Sequence, residues 1–172
     1  ASDALLAADA AVICVAPDPA EAVLAAPYLR LVEAAGTPAL IFVNRMDEAR
    51  ARLRDIVAAL QDYAAHPIVL RQVPMRGDDG SITGSVDLVS ERAWKYNENA
   101  PSDLVEIPAG MIEREHEARD DLLERLSEYD DQLLEELVED QTPATAEVHA
   151  ICTRLLAENR LFPTLIGAAS HG

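Results

Sequence analysis

The chain is short of several things at once. Aromatic residues fill only 4% of its 172 positions, it has seven glycines and two cysteines, and Lys95 is its one lysine. No apolar run approaches the ~18 residues of a spanning helix and no signal peptide opens the sequence, so the chain is expected neither to span nor to cross a membrane. None of the seven glycines falls in a GxxxxGK[ST] pattern, so no phosphate-cradling loop is legible. Cys14 lies in an apolar stretch expected to be a strand, and Cys152 on an expected helix face. Both are read as reduced core thiols of a cytoplasmic protein. Basic residues are outnumbered, 14 against 31, leaving a net charge of −17. Such a surface repels a phosphate backbone, so sequence-specific nucleic-acid binding by this chain is not expected.

What is present is apolar and ordered. Hydrophobic residues make up 49% of the chain, enough for a real core in one domain with a possible subdomain. Two short apolar runs, Ala10–Ala16 and Ala39–Val43, read as buried parallel strands. Between them lies a helix over Val23–Ala35, strained near its start by Pro27 and stopped by Gly36. An amphipathic helix over Glu48–Ala65 follows, with Leu53, Ile56, Val57, Leu60 and Ala64 on one face. This βαβα order predicts a parallel, doubly wound sheet.

At His66-Pro67 the pattern changes. Ile68–Val73, Ile82–Val89, Ala93–Tyr96 and Val105–Ile107 read as an antiparallel meander. Its turns are Arg76-Gly77-Asp78-Asp79-Gly80 and Asn97-Glu98-Asn99-Ala100-Pro101. Trp94 and Tyr96 are expected to pack a small core. Pro108 opens a long acidic helix, broken near Ser127, and the stretch from Glu113 to Asp140 carries thirteen acidic residues against three arginines. Within it, Glu113 to His116 contains Glu-x-x-His, read as a solvated acidic face because a di-iron site needs further carboxylates. Thr142-Pro143 is expected to start a helix burying Val148, Ile151, Cys152 and Leu155. Leu161–Ile166 returns as a strand. His66, His149 and His171 stand alone, with no nucleophile arrangement around them.

The most informative residues are Asn44-Arg45-Met46-Asp47, directly after the second apolar run. Ligands of open α/β sheets bind outside the carboxyl ends of such strands. There a carboxylate accepts from two adjacent N–H groups, and an amide that both donates and accepts braces the loop. Guanine offers those donors at N1 and N2. Adenine presents a lone pair instead, at a cost of roughly 1–3 kcal/mol.

Asn44-Arg45-Met46-Asp47 resembles the guanine-specificity motif NKxD of GTPases. Ala10–Val15 and Pro38–Asp47 together resemble elongation factor G. So do Gly84–Val89 with Ala93-Trp94, Tyr129–Glu136, and Phe162-Pro163 through Gly167-Ala168-Ala169. The resemblance implies an α/β fold: a partial doubly wound sheet of the P-loop GTPase type (residues 1–65 and 148–172) with an inserted α+β subdomain (66–147). It implies a nucleotide site formed by Asn44, Arg45, Met46, Asp47, Ala168 and Ala169. Arg45 replaces the usual Lys, whose stem packs over the base. Ala168 stands where the family has a serine, and the position of Ala169 contacts the base through its backbone N–H. The family's phosphate loop and switch segments belong upstream of residue 1, so the chain is expected to be a fragment. No catalytic residue and no metal ligand can be placed on it.

Expectations follow for the parent and for the fragment. The parent would bind GTP or GDP with Mg²⁺, hydrolyse GTP and promote translocation on the ribosome, its acidic insert facing the stalk protein. This chain alone would bind nucleotide weakly, hydrolyse nothing and self-associate through an exposed apolar sheet edge. Two alternatives stand beside this reading. One is a release-factor or tetracycline-protection type of ribosomal GTPase. The other is a non-hydrolysing paralogue whose acidic insert is a protein-binding module.

Overall fold

The computed structural model describes residues 2–5 and 7–169. A single turn of helix (α1, Ser2–Leu5) precedes the first strand (β1, Ala11–Val15). Asp18 then starts a short helix (α2, Pro19–Ala22), its Oδ1 accepting from the Ala20 and Glu21 N–H groups at 2.8 and 3.2 Å. A 3₁₀ turn over Val23–Ala25 leads into α3 (Ala26–Ala35). Pro27 is therefore not a strain inside one long helix. It occupies the first turn of α3, where its missing N–H would have had no helical partner. Gly36 closes α3 at φ 65°, a left-handed position that a side chain would disfavour.

The second strand (β2, Ala39–Val43) pairs in parallel with β1, from Ala11 opposite Ala39 to Val15 opposite Val43. The following helix (α4, Leu53–Gln61) is shorter than its sequence pattern suggested, because Met46–Glu48 forms a separate 3₁₀ turn. Leu53, Ile56 and Leu60 of α4 are buried against Leu29 and Val32 of α3 and Ile13, Ile41 and Val43 of the sheet.

The expected strand Ile68–Val73 divides at Arg71. Its first part (β3, Ile68–Leu70) belongs to the parallel sheet, and its second (β4, Gln72–Arg76) opens the antiparallel one. Arg71 serves both. Its N–H donates to the Thr164 carbonyl at 3.0 Å, and its own carbonyl accepts from the Leu88 N–H at 2.9 Å. Its guanidinium meets Asp87 at 2.8 Å, while the other Asp87 oxygen accepts from the Ser90 N–H at 2.7 Å. The meander continues through β5 (Ile82–Asp87), β6 (Arg92–Asn97) and β7 (Ala100–Val105), so the last strand, expected over Val105–Ile107, begins earlier and ends at Val105.

The acidic region forms two helices, α5 (Ile112–Ser127) and α6 (Asp131–Val138), and Asp130 caps the second by accepting from the Leu133 N–H at 3.2 Å. The next helix (α7, Thr145–Ala157) buries Val148, Ile151, Cys152 and Leu155 as expected. Its cap is Ala144, with no side-chain bond, so Thr142-Pro143 lies outside the helix. The final strand (β8, Phe162–Ile166) inserts between β2 and β3, giving the all-parallel order β1-β2-β8-β3.

Two apolar clusters result. One fills the space between the parallel sheet and helices α3 and α4, and the other lies among α5, α6, α7 and the antiparallel sheet. Strand β3 contributes to both, Ile68 to the first and Val69 to the second. On β1 the alternation leaves one face open, so Val12 is 60% exposed and Cys14 is exposed as well. Cys14 is thus not a core thiol. A strand among apolar neighbours buries both faces only where both are covered. Cys152 is buried, and burial pushes its thiol up to about 11.

The acidic helix α5 is not wholly solvated either. Glu115 and Arg119 are buried on its inner side. The Arg119 guanidinium donates to the Leu88 and Val89 carbonyls and pairs with Glu91 at 3.2 Å. Among the described residues no group of three or more His, Cys, Asp or Glu side chains could hold a metal ion. Nor is any helix among them long and apolar enough to cross a membrane.

Candidate functional site at the carboxyl edge of the parallel sheet

Val43 ends β2 and Ile166 ends β8, and the two residues are register partners. The loops that follow therefore leave the sheet side by side at its carboxyl edge. Backbone bonds then lace them together. The Asn44 N–H donates to the Val15 carbonyl at 3.0 Å, Gly167 N–H to Val43 at 3.1 Å, and Met46 N–H to Gly167 at 3.1 Å. The Asn44 side chain completes the lacing, its Oδ1 accepting from the Ala169 N–H at 2.9 Å. The Asn44 amide thus braces the two loops, and its partner is the N–H that the resemblance assigns to a base. Gly167 allows the close approach: a Cβ there would lie 2.7 Å from Phe42 Cζ.

The remaining motif residues take distinct places. Arg45 adopts the left-handed conformation at φ 56°. Its guanidinium pairs with Glu21 at 3.4 Å and Glu48 at 3.5 Å, and all three side chains are about half exposed. Exposed pairs of this kind contribute roughly 0–1 kcal/mol, so they orient Arg45 more than they stabilise the fold. Met46 is buried beneath the 3₁₀ turn. Asp47 follows it and lines a cleft of about 590 Å³, together with Gly167, Ala168 and Ala169. Arg45 does not line that cleft. Ser170 and His171, next along the chain, lie outside the described residues.

Residues of the antiparallel sheet line the same cleft: Tyr96 and Asn97 at the end of β6, Glu98 just beyond it, and Ser102 of β7. Tyr96, expected in a small core, is 37% exposed, whereas Trp94 is half-buried. The legible signal was position: Tyr96 directly precedes the Asn-rich turn. A side-chain bond fixes the two sheets to each other near this point, the Gln72 Oε1 accepting from the Ile166 N–H at 3.1 Å. No lysine or arginine stands among the described residues lining the cleft, whereas Asp47 and Glu98 both do. Its chemistry suits hydrogen-bond donors better than phosphates.

Architecture and loops together define a partial doubly wound sheet of the P-loop GTPase type, with an antiparallel insert. No protein-family model matches the chain. An elongation factor G-like protein of Synechocystis sp. is 33% identical over 169 residues, an alignment covering 98% of this chain and 25% of that protein. Elongation factor G of Fervidobacterium nodosum is 29% identical over 135 residues, 77% of this chain and 19% of that protein. A crystal structure of a Thermus thermophilus protein superimposes with a TM-score of 0.83 at 23% identity, over 99% of this chain and 25% of the other, and shows the same fold. The chain belongs to the elongation factor G family. It spans a quarter or less of the length of the curated relatives it matches.

Proposed function

We propose that this chain supplies guanine selection to a translational GTPase of the elongation factor G type. Asp47 reads the N1 and N2 donors of the base, and Asn44 holds the two strand-end loops in register. The observation that carries this reading is the bond between Asn44 Oδ1 and the Ala169 N–H, which joins the two loops the motif requires. The base and ribose end of GTP or GDP fits the cleft. The phosphates do not fit the residues lining it, which offer two carboxylates and no cation.

The same reading assigns residues 1–65 and 148–172 to a GTPase core and 66–147 to an insert. It places the protein in the cytoplasm on the ribosome, where the whole polypeptide would turn over GTP during translocation. The exposed carboxylates of α5 and α6 are then the surface offered to the stalk protein. Nucleotide turnover tests this. A polypeptide carrying this chain with a complete phosphate loop should hydrolyse GTP over ATP and be accelerated by ribosomes, while the 172-residue chain alone should hydrolyse neither. Equal turnover of ATP, or indifference to ribosomes, would count against the proposal.

A further inference from the structure

The hairpin between β6 and β7 reaches the cleft through an irregularity. Lys95 pairs with Asp103 and Asn97 with Ala100, so Pro101 and Ser102 of β7 together oppose the single residue Tyr96 of β6. Bulges of this type re-aim a side chain and are common beside binding sites. Facing the bulge stands Tyr96, an exposed tyrosine that lines the same cleft as Asp47. The hairpin tip is itself pinned. The Asn97 amide donates to the Pro101 carbonyl at 2.9 Å and to Asp103 Oδ2 at 3.0 Å, and Asn99 takes the left-handed turn position at φ 55°. Tyr96 is thus presented from a braced turn, and the bond from Ile166 to Gln72 keeps its sheet against the strand that carries the Ala168–Ala169 loop.

A planar ligand whose edge meets Asp47 turns its faces toward the cleft walls. An aromatic side chain on such a wall stacks on a base whatever its sequence identity, because every base has a π-face. From this geometry we infer that Tyr96 is a stacking residue of the base site, so that the antiparallel insert takes part in nucleotide binding. Glu98 beside it is an acceptor suited to ribose hydroxyls. The inference rests on the guanine-reading role of Asp47 and adds to it a contact from another sheet.

The test is a titration of the isotope-labelled chain with millimolar GDP, with ADP as control, followed through the backbone amides of Met46, Asp47 and Ala168 and through the Tyr96 ring resonances. Both sets should shift with one dissociation constant. Tyr96→Ala should raise that constant about 5-fold or more, by the usual worth of a base-stacking side chain, whereas Tyr96→Phe should leave it within twofold. Motif amides that shift while the Tyr96 ring stays silent, with Tyr96→Ala binding unchanged, would overturn the stacking role and leave guanine reading intact. Silence in both sets would overturn both. A ring that shifts alone, or shifts equally with ADP, would show contact without the base site and would also overturn the inference.

Discussion

The Asn44 side chain accepts a hydrogen bond from the Ala169 N–H at 2.9 Å, joining residues 125 positions apart in the chain. That bond makes one site out of two loops, since Asn44 follows β2 and Ala169 follows β8. Truncating it should loosen the second loop more than it unfolds the domain. Asn44→Ala should cost about 1 kcal/mol in chemical denaturation, and amide exchange at Ala169 should accelerate. An Ala169 amide as protected as before would contradict the bracing role.

Gly84 lies on β5 opposite Lys95, and a methyl group there would run into the Trp94 carbonyl oxygen. The obstacle is backbone, which cannot swing aside. Gly84→Ala should therefore destabilise the chain by about 1–3 kcal/mol or more. Gly110, with nothing within 4 Å of a built Cβ, is the control and should tolerate alanine. Equal melting of the two variants would refute the packing described for the meander.

Glu115 is 1% exposed and its Oε1 has no hydrogen-bond partner among the described residues. Burial raises its pKa above the usual carboxylate range, and nearby Glu91 and Asp120 add to the rise, while His116 and Arg119 oppose it. With the folded pKa above the unfolded one, the folded state holds the extra proton between the two values. Stability contributed by this group is then present at acid pH and falls as pH rises through that window. Glu115→Gln should gain on the wild type as pH climbs from about 4 toward neutrality, then keep a constant difference. Parallel stability curves for the two proteins would show that the carboxyl is not buried as described.

The two cysteines should separate cleanly. Cys14 is exposed on the open face of β1, whereas Cys152 is buried with its thiol pushed up to about 11. At pH 8 a thiol reagent should label one site quickly and leave the other until the chain unfolds. Two thiols reacting together in the native state would contradict the assignment of faces.

The open face of β1 also bears on assembly. Val12 is 60% exposed on a strand at the sheet edge, so the chain should associate with itself in a concentration-dependent way. Val12→Lys should weaken that association in sedimentation velocity. A wild-type chain that sediments as a monomer at all concentrations would rule the contact out.

Much of this was legible locally. Apolar runs marked β1, β2 and β8, Gly36 marked the end of α3, and the turn residues marked the meander. What sequence could not show was nonlocal. Whether Cys14 is buried depends on which elements cover β1, and its own alternation is silent on that. The split at Arg71 depends on Asp87, sixteen residues on, and on Thr164 beyond it. Arg45 pairs with Glu21, twenty-four residues earlier, and is not among the residues lining the cleft. Tyr96 lines the same cleft as Met46 and Asp47, a placement no spacing encodes.

The claim that Asp47 reads guanine is tested most directly by changing what it can read. Xanthine keeps the N1 donor of guanine but replaces the N2 amine with a carbonyl acceptor, which a carboxamide complements and a carboxylate repels. The measurement is binding of GDP, XDP and ADP to the wild-type chain and to Asp47→Asn. The wild type should prefer GDP, Asp47→Asn should prefer XDP by about tenfold or more, and neither should prefer ADP. An Asp47→Asn variant with the same order of preference as the wild type would contradict that claim.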